Sequence, residues 1–192
     1  MRKQKEIIDQ LSDRELMINF YLSQGIILVT ALSLTPFLFT SFSDLFTLFR
    51  FEKIGQVLFI GSGAGLIVVL LDLLLMKILP ESYFDDGGIN ERLFTNRGFW
   101  QIIWITLLVA FCEELLFRGV IQTKFGLVAA SLIFAIVHFR YLANKFLLTY
   151  VVLLSFFIGY IYEYTGNLAA TFMMHFVIDS LLGLLIYYKS GN

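Results

Sequence analysis

Three charged residues, Glu113, Glu114 and Arg118, lie near the end of an apolar run that is long enough to cross a lipid bilayer. The chain has 2 histidines, His138 and His175, and both lie in the hydrophobic stretches that follow. A charged side chain in hydrocarbon is costly, so such residues usually mark a functional site or an ion pair. Carboxylates and imidazoles in a low-dielectric interior can carry out general acid–base or metal chemistry. The pattern therefore predicts an intramembrane hydrolase.

The two adjacent glutamates are expected to differ in role. On an α-helix, Glu114 and Arg118 lie one turn apart on one face, in the order that favours an ion pair, so this pair is expected to be structural. Glu113 points about 100° away from Glu114 and has no partner on its own helix. It is therefore a candidate general base. The alternative is that Glu113 pairs with another helix or faces a water-filled gap.

Each histidine also has a partner four residues away. Phe134 precedes His138 by one helical turn, so its ring can pack beside the imidazole and shield it from lipid. Asp179 follows His175 by one turn, so its carboxylate can accept from one ring nitrogen and leave the other directed at the site.

A metal site and a thiol nucleophile are the alternatives within this set. Two histidines and a glutamate can bind a divalent metal such as zinc. However, HExxH is absent and the ligands would come from three helices, so the sequence leaves open whether a metal is required. Cys112 is the only cysteine. It is expected to be a small buried side chain, with a nucleophilic thiol as the alternative.

The composition predicts an integral membrane protein. Hydrophobic residues make up 58% of the 192 residues, charged residues only 15%, and the mean hydropathy is +0.81. A spanning helix uses about 20 residues, so one all-α transmembrane bundle accounts for the length. The net charge is −1 and the basic residues form no block, which argues against a nucleic acid partner. The expected partners are the lipid bilayer and a membrane protein or peptide substrate. The oligomeric state is not predicted.

Hydropathy predicts about six spans, which must position these residues. They are Met17–Thr40, Gly55–Leu79, Gly98–Ile121, Phe125–Leu142, Phe146–Tyr164 and Leu168–Tyr188. Residues 1–16 are predicted to be a cytoplasmic leader, 17–98 two N-terminal spans and a polar loop, and 99–188 a catalytic core of four spans.

Pro36 is expected to kink or end the first span, and the glycines near Gly61 are expected to allow close helix contact. A turn at Gly166 and Asn167 is expected to supply a C-cap and an N-cap. Asp72 is expected to be paired or to snorkel.

The distribution of lysine and arginine predicts the orientation. With the N-terminus inside, nine of the basic residues lie on the inner side: Arg2, Lys3, Lys5, Arg14, Arg92, Arg97, Arg140, Lys145 and Lys189. Three lie on the outer side: Arg50, Lys53 and Lys124. By the positive-inside rule, both termini are predicted to lie in the cytoplasm.

These residues resemble the motifs of the CPBP family, also called Abi or CAAX-like proteases, which is related to type II CAAX prenyl endopeptidase. The resemblance covers about Phe99 to Tyr187. The EExxxR motif begins at Glu113, FxxxH joins Phe134 to His138, and HxxxN/D begins at His175. Each pattern alone is weak, but three in the right order are a strong signal.

The resemblance implies a role for each residue. Glu113 and His138 would activate water, while His175 and Asp179 would stabilise the oxyanion of a tetrahedral intermediate. Glu114 and Arg118 would hold the helix geometry. Relatives of the eukaryotic prenyl proteases carry Asn where this chain has Asp179. An ionised Asp donates no hydrogen bond, so Asp179 is either protonated or orients His175. Family members have been described both as metalloproteases and as glutamate proteases.

Two other classes of function compete with the protease. A non-catalytic scaffold or immunity-type binding protein of the same fold has no need of both intramembrane histidines. An ion or proton transporter could use the same charges as a relay, but the sequence lacks an inverted repeat.

Overall fold

The computed structural model describes residues 10–191, and that part of the chain contains helices but no β-strand. The α-helices are Asp13–Leu38 (α1), Asp44–Thr47 (α2), Ile54–Ile78 (α3), Ile89–Phe94 (α4), Phe99–Glu114 (α5), Thr123–Val137 (α6), Lys145–Thr165 (α7) and Leu168–Lys189 (α8). A π-helix, Leu115–Gln122, joins α5 to α6, and two 3₁₀ segments are Glu81–Phe84 and Phe139–Ala143. The all-α membrane bundle predicted from the sequence is confirmed.

Among the described residues, five continuous helical segments are long and apolar enough to cross a membrane. One of them, Phe99–Val137, has 39 residues, or about 60 Å, which is about twice the thickness of the hydrocarbon core. It breaks at Gly126, whose φ of 83° is readily adopted only by glycine. The predicted third and fourth spans lie on the two sides of this break, so about six spans remains consistent with the structure.

The first span begins and ends with local signals. Ser12 and Glu15 form a capping box that starts α1 at Asp13, inside the segment predicted as a leader. Residues 1–9 of that predicted leader lie outside the described residues. The helix ends at Leu38, two residues after Pro36, as a proline near a helix end favours.

Small residues set the distance between α3 and α8. A Cβ at Gly61 would overlap the carbonyl oxygen of Ala170, and a Cβ at Gly65 would lie 2.8 Å from the carbonyl oxygen of Met174. The predicted packing role of the glycines is therefore confirmed. The contact at Met174 fixes the position of α8 one residue before His175.

The turn before α8 is as predicted. Gly166 ends α7 with a φ of 57°, and the Asn167 side chain accepts from the Ala169 amide. Asn167 Nδ2 also donates to the Arg50 carbonyl at 2.6 Å, which ties the α8 N-terminus to the segment before α3. Asp72 is buried and accepts a hydrogen bond from the Tyr150 hydroxyl. Within residues 10–191 Asp72 has no ion pair, and its burial excludes snorkelling, so a hydroxyl on another helix takes the place of the charged partner that was expected.

Candidate active site

The site begins where α5 changes into a π-helix. Glu113 and Glu114 are the last two residues of α5, and all eight residues of the π-helix are buried. The Thr123 amide donates to the Arg118 carbonyl five residues back. Segments of π-helix are rare and occur frequently at functional sites. Across this transition Arg118 Nε lies 3.6 Å from Glu114 Oε2, so the predicted pair forms.

Arg118 connects three helices. Its Nη2 donates to the carbonyl and the hydroxyl of Ser155 on α7, at 3.3 and 3.2 Å. Its Cζ lies 5.0 Å from the centre of the Phe134 ring on α6, a cation–π distance. The guanidinium is fully buried. Its predicted structural role therefore has a geometric basis that extends beyond Glu114.

His175 lies between two carboxylates. Its Nδ1 is 2.9 Å from Glu114 Oε1, and its Nε2 is 3.4 Å from Asp179 Oδ2. The contact between His175 and Asp179 follows the predicted four-residue spacing. The expectation that the second nitrogen is directed at the site is wrong, because Glu114 occupies it. Glu114 was expected to pair with Arg118 only, but it contacts His175 as well. No spacing in the sequence signals this contact, because the two residues are 61 positions apart.

His138 follows the last residue of α6, and its hydrogen bond fixes the tautomer of the neutral ring. Nδ1 lies 2.8 Å from the Phe134 carbonyl oxygen. A carbonyl only accepts, so Nδ1 carries the hydrogen and Nε2 keeps its lone pair. The Phe134 ring stacks on the imidazole with centroids 4.4 Å apart, as the spacing predicted.

Tyr141 and Arg140 join the site without having been predicted there. The Tyr141 ring is nearly parallel to the His138 ring, at 14°, with centroids 6.0 Å apart. Tyr141 is buried, and the Arg140 guanidinium lies 4.6 Å from the centre of its ring. The only sequence signal was the three-residue spacing from His138, which places two side chains together on a 3₁₀ turn.

Glu113 is 7% exposed, and its carboxylate has no hydrogen-bond partner among residues 10–191. It lies close enough to His138 and Arg118 to interact electrostatically with each. His138 interacts in the same way with His175. The four predicted catalytic residues therefore belong to one cluster, formed by α5, the end of α6, and α8.

The alternative of a metal site concerns the same side chains. In the described part of the chain, no group of three or more His, Cys, Asp or Glu side chains is arranged to hold a metal ion. Carboxylates face both nitrogens of His175, which leaves neither nitrogen free as a ligand. Cys112 is buried beside Glu113.

Comparison with known proteins places the chain in a family. The family "Type II CAAX prenyl endopeptidase Rce1-like" matches residues 95–181, which include every residue of the cluster. The chain is also 40% identical to YpbD of Bacillus subtilis (strain 168), an uncharacterized protein, over 168 residues that cover 88% of each chain. No solved structure matches. The chain is therefore an integral membrane protein that belongs to the Rce1-like type II CAAX prenyl endopeptidase family.

Proposed function

We propose that the protein is an intramembrane endopeptidase that hydrolyses a peptide bond in a membrane-associated protein or peptide. The observation that carries this proposal is the contact of 2.8 Å between His138 Nδ1 and the Phe134 carbonyl oxygen. The Phe134 carbonyl takes up Nδ1, so the lone pair on Nε2 is available to accept a proton, and the Glu113 carboxylate lies nearby. Glu113 and His138 together activate the attacking water as general bases.

The second half of the cluster stabilises the oxyanion. Glu114 accepts from His175 Nδ1 at 2.9 Å and so orients the ring from one side. His175 and Asp179 then share the side of the cluster that faces the reacting carbonyl. Asp179 is protonated and donates the hydrogen bond, in the manner of family members that carry Asn at this position. This arrangement frees Asp179 from the task of orienting His175, because Glu114 already does so.

Substrate reaches the site from the bilayer or the membrane surface. The Asp179 side chain is 30% exposed, whereas that of His175 is 10% exposed, so the open side of the cluster is the side of Asp179. Both termini lie in the cytoplasm in this proposal, as the distribution of basic residues predicts.

The test is cleavage of membrane-embedded peptide libraries by the purified protein in proteoliposomes. Wild type is expected to cleave and Glu113→Gln is not. Glu163→Gln is the matched control, because it makes the same change at an exposed position on α7. Cys112→Ala is expected to remain active, and its inactivity would support a thiol nucleophile. Cleavage is expected to persist with a chelator, and its loss would mean that the histidines rearrange around a metal.

A wild-type protein that cleaves nothing would refute the proposal and favour the non-catalytic binding protein. Ion or proton flux through the same proteoliposomes, without cleavage, would favour the transporter.

A further inference from the structure

Arg140 is a partly buried cation without an anionic partner in residues 10–191. No carboxylate lies within ion-pair distance of its guanidinium among those residues. Its Nε is buried and has no hydrogen-bond partner there. Nη2 donates to the Tyr141 hydroxyl at 2.5 Å, and the guanidinium lies against the Tyr141 ring. A buried or partly buried charge is costly unless it is paired. The Arg140 guanidinium is therefore positioned to bind an anion from another molecule.

The position of Arg140 relates it to the chemistry. The Tyr141 ring is 6.0 Å from the His138 ring and 4.6 Å from the Arg140 guanidinium. Arg140 Cζ therefore lies within the sum of these distances, about 11 Å, of the His138 ring centre. An extended peptide advances about 3.3 Å per residue. An anion bound to Arg140 is thus within about three residues of a peptide bond at His138.

The chemistry of the guanidinium selects the anion. Arginine binds carboxylates in a planar, bidentate geometry, and its stacking on Tyr141 fixes the plane of its donors. Asp86 and Asp179 lie near enough to Tyr141 to interact with it electrostatically, yet neither pairs with Arg140. The guanidinium is therefore the cation available to a substrate beside the catalytic histidine.

We propose that Arg140 binds a carboxylate of the substrate, within about three residues of the scissile bond, and so sets the substrate preference of this site. The proposal rests on the proposed function. The carboxylate comes from an Asp or Glu side chain or from the C-terminus of the substrate, and the two sources share the same chemistry.

The experiment measures peptide binding in the catalytically inactive Glu113→Gln background, with Glu113→Ala as a second background. The probes are fluorescent apolar peptides of one sequence in three forms: a free C-terminus, an amidated C-terminus, and an amidated C-terminus with one internal Glu. Either the peptide with the free C-terminus or the peptide with the internal Glu is expected to bind about tenfold to hundredfold more weakly when Arg140→Gln is added. Arg140→Lys should recover only part of the affinity because it lacks the planar fork. Lys145→Gln removes the same charge five residues away and should change nothing.

Several outcomes would overturn the inference. The inference fails if the background protein binds all three peptides with equal affinity. It also fails if Arg140→Gln weakens binding of the amidated peptide without Glu as much as it weakens binding of the carboxylate peptides. Loss of the preference on adding phosphatidylglycerol would mean that Arg140 binds a lipid phosphate instead. A wild-type enzyme that cleaves without any carboxylate preference would support the protease proposal and refute the proposed role of Arg140. Arg140-dependent carboxylate binding without wild-type cleavage would refute the protease proposal and, with it, the role of Arg140 in substrate preference, and would leave only a carboxylate-binding site.

Discussion

Replacing Arg118 by alanine should destabilise the bundle, because the change leaves Glu114 as a buried carboxylate without its cation. The side chains of Arg118 and Glu114 are 0% and 1% exposed. Removing one partner of a buried ion pair costs about 3–5 kcal/mol. His175 Nδ1 stays 2.9 Å from the other carboxylate oxygen, so Glu114 keeps one partner. We therefore expect a loss near the lower end of that range, about 3 kcal/mol in the free energy of unfolding.

The assay is denaturant or thermal unfolding of the purified protein in detergent micelles. Arg118→Met fills much of the volume without the charge, and should be nearly as unstable as Arg118→Ala. The double variant Glu114→Gln with Arg118→Met removes both charges and should recover much of the loss. Ser155→Ala removes a single hydrogen bond to Arg118 and should cost about 1 kcal/mol.

An Arg118→Ala protein as stable as wild type would refute the buried ion pair. A double variant that is no more stable than Arg118→Met would show that the cost comes from lost packing rather than from an unpaired charge.

Three further changes test the site and the fold. Glu113→Gln should lower cleavage by about 100-fold or more while the melting temperature stays unchanged; a parallel loss of stability would make the residue structural. Asp179→Asn should retain cleavage within about tenfold because Glu114 orients His175, whereas an orienting carboxylate would cost orders of magnitude when amidated; a variant inactive at every pH would contradict this. Gly61→Leu should cost about 1–3 kcal/mol or more in unfolding experiments, and equal stability to Gly25→Leu, which has open space at its Cβ, would contradict it.

The sequence predicts local features of this fold well because their causes are local. Hydrophobic runs of span length, the Gly166–Asn167 turn and the small residues at Gly61 each depend on a few neighbouring residues, and each lies where it was expected. The contacts of Phe134 with His138 and of His175 with Asp179 follow from four-residue spacing on a helix.

The remaining features depend on how the helices pack together. The π-helix Leu115–Gln122 gives no periodic signal, because it changes the backbone geometry inside a continuous helix. Hydropathy places a boundary between two spans close to Gly126, but it does not show that the helix continues up to this residue and breaks there. The stacking of Tyr141 on His138 depends on a 3₁₀ turn after α6. Sequence periodicity, which assumes a regular α-helix, detects neither the π-helix nor the 3₁₀ turn.

The most consequential contact that the sequence did not predict is the one that divides Glu114 between two partners. Oε2 faces Arg118, and Oε1 faces His175. The prediction of one structural and one chemical glutamate therefore needs a refinement, because the structural glutamate also orients a proposed catalytic histidine. It follows that Arg118, which makes no hydrogen bond to a proposed reacting group, should still influence cleavage through Glu114. A chain of contacts then connects α7 to the oxyanion side of the site, through Ser155, Arg118, Glu114 and His175. The packing of α7 against the π-helix can therefore affect the position of His175.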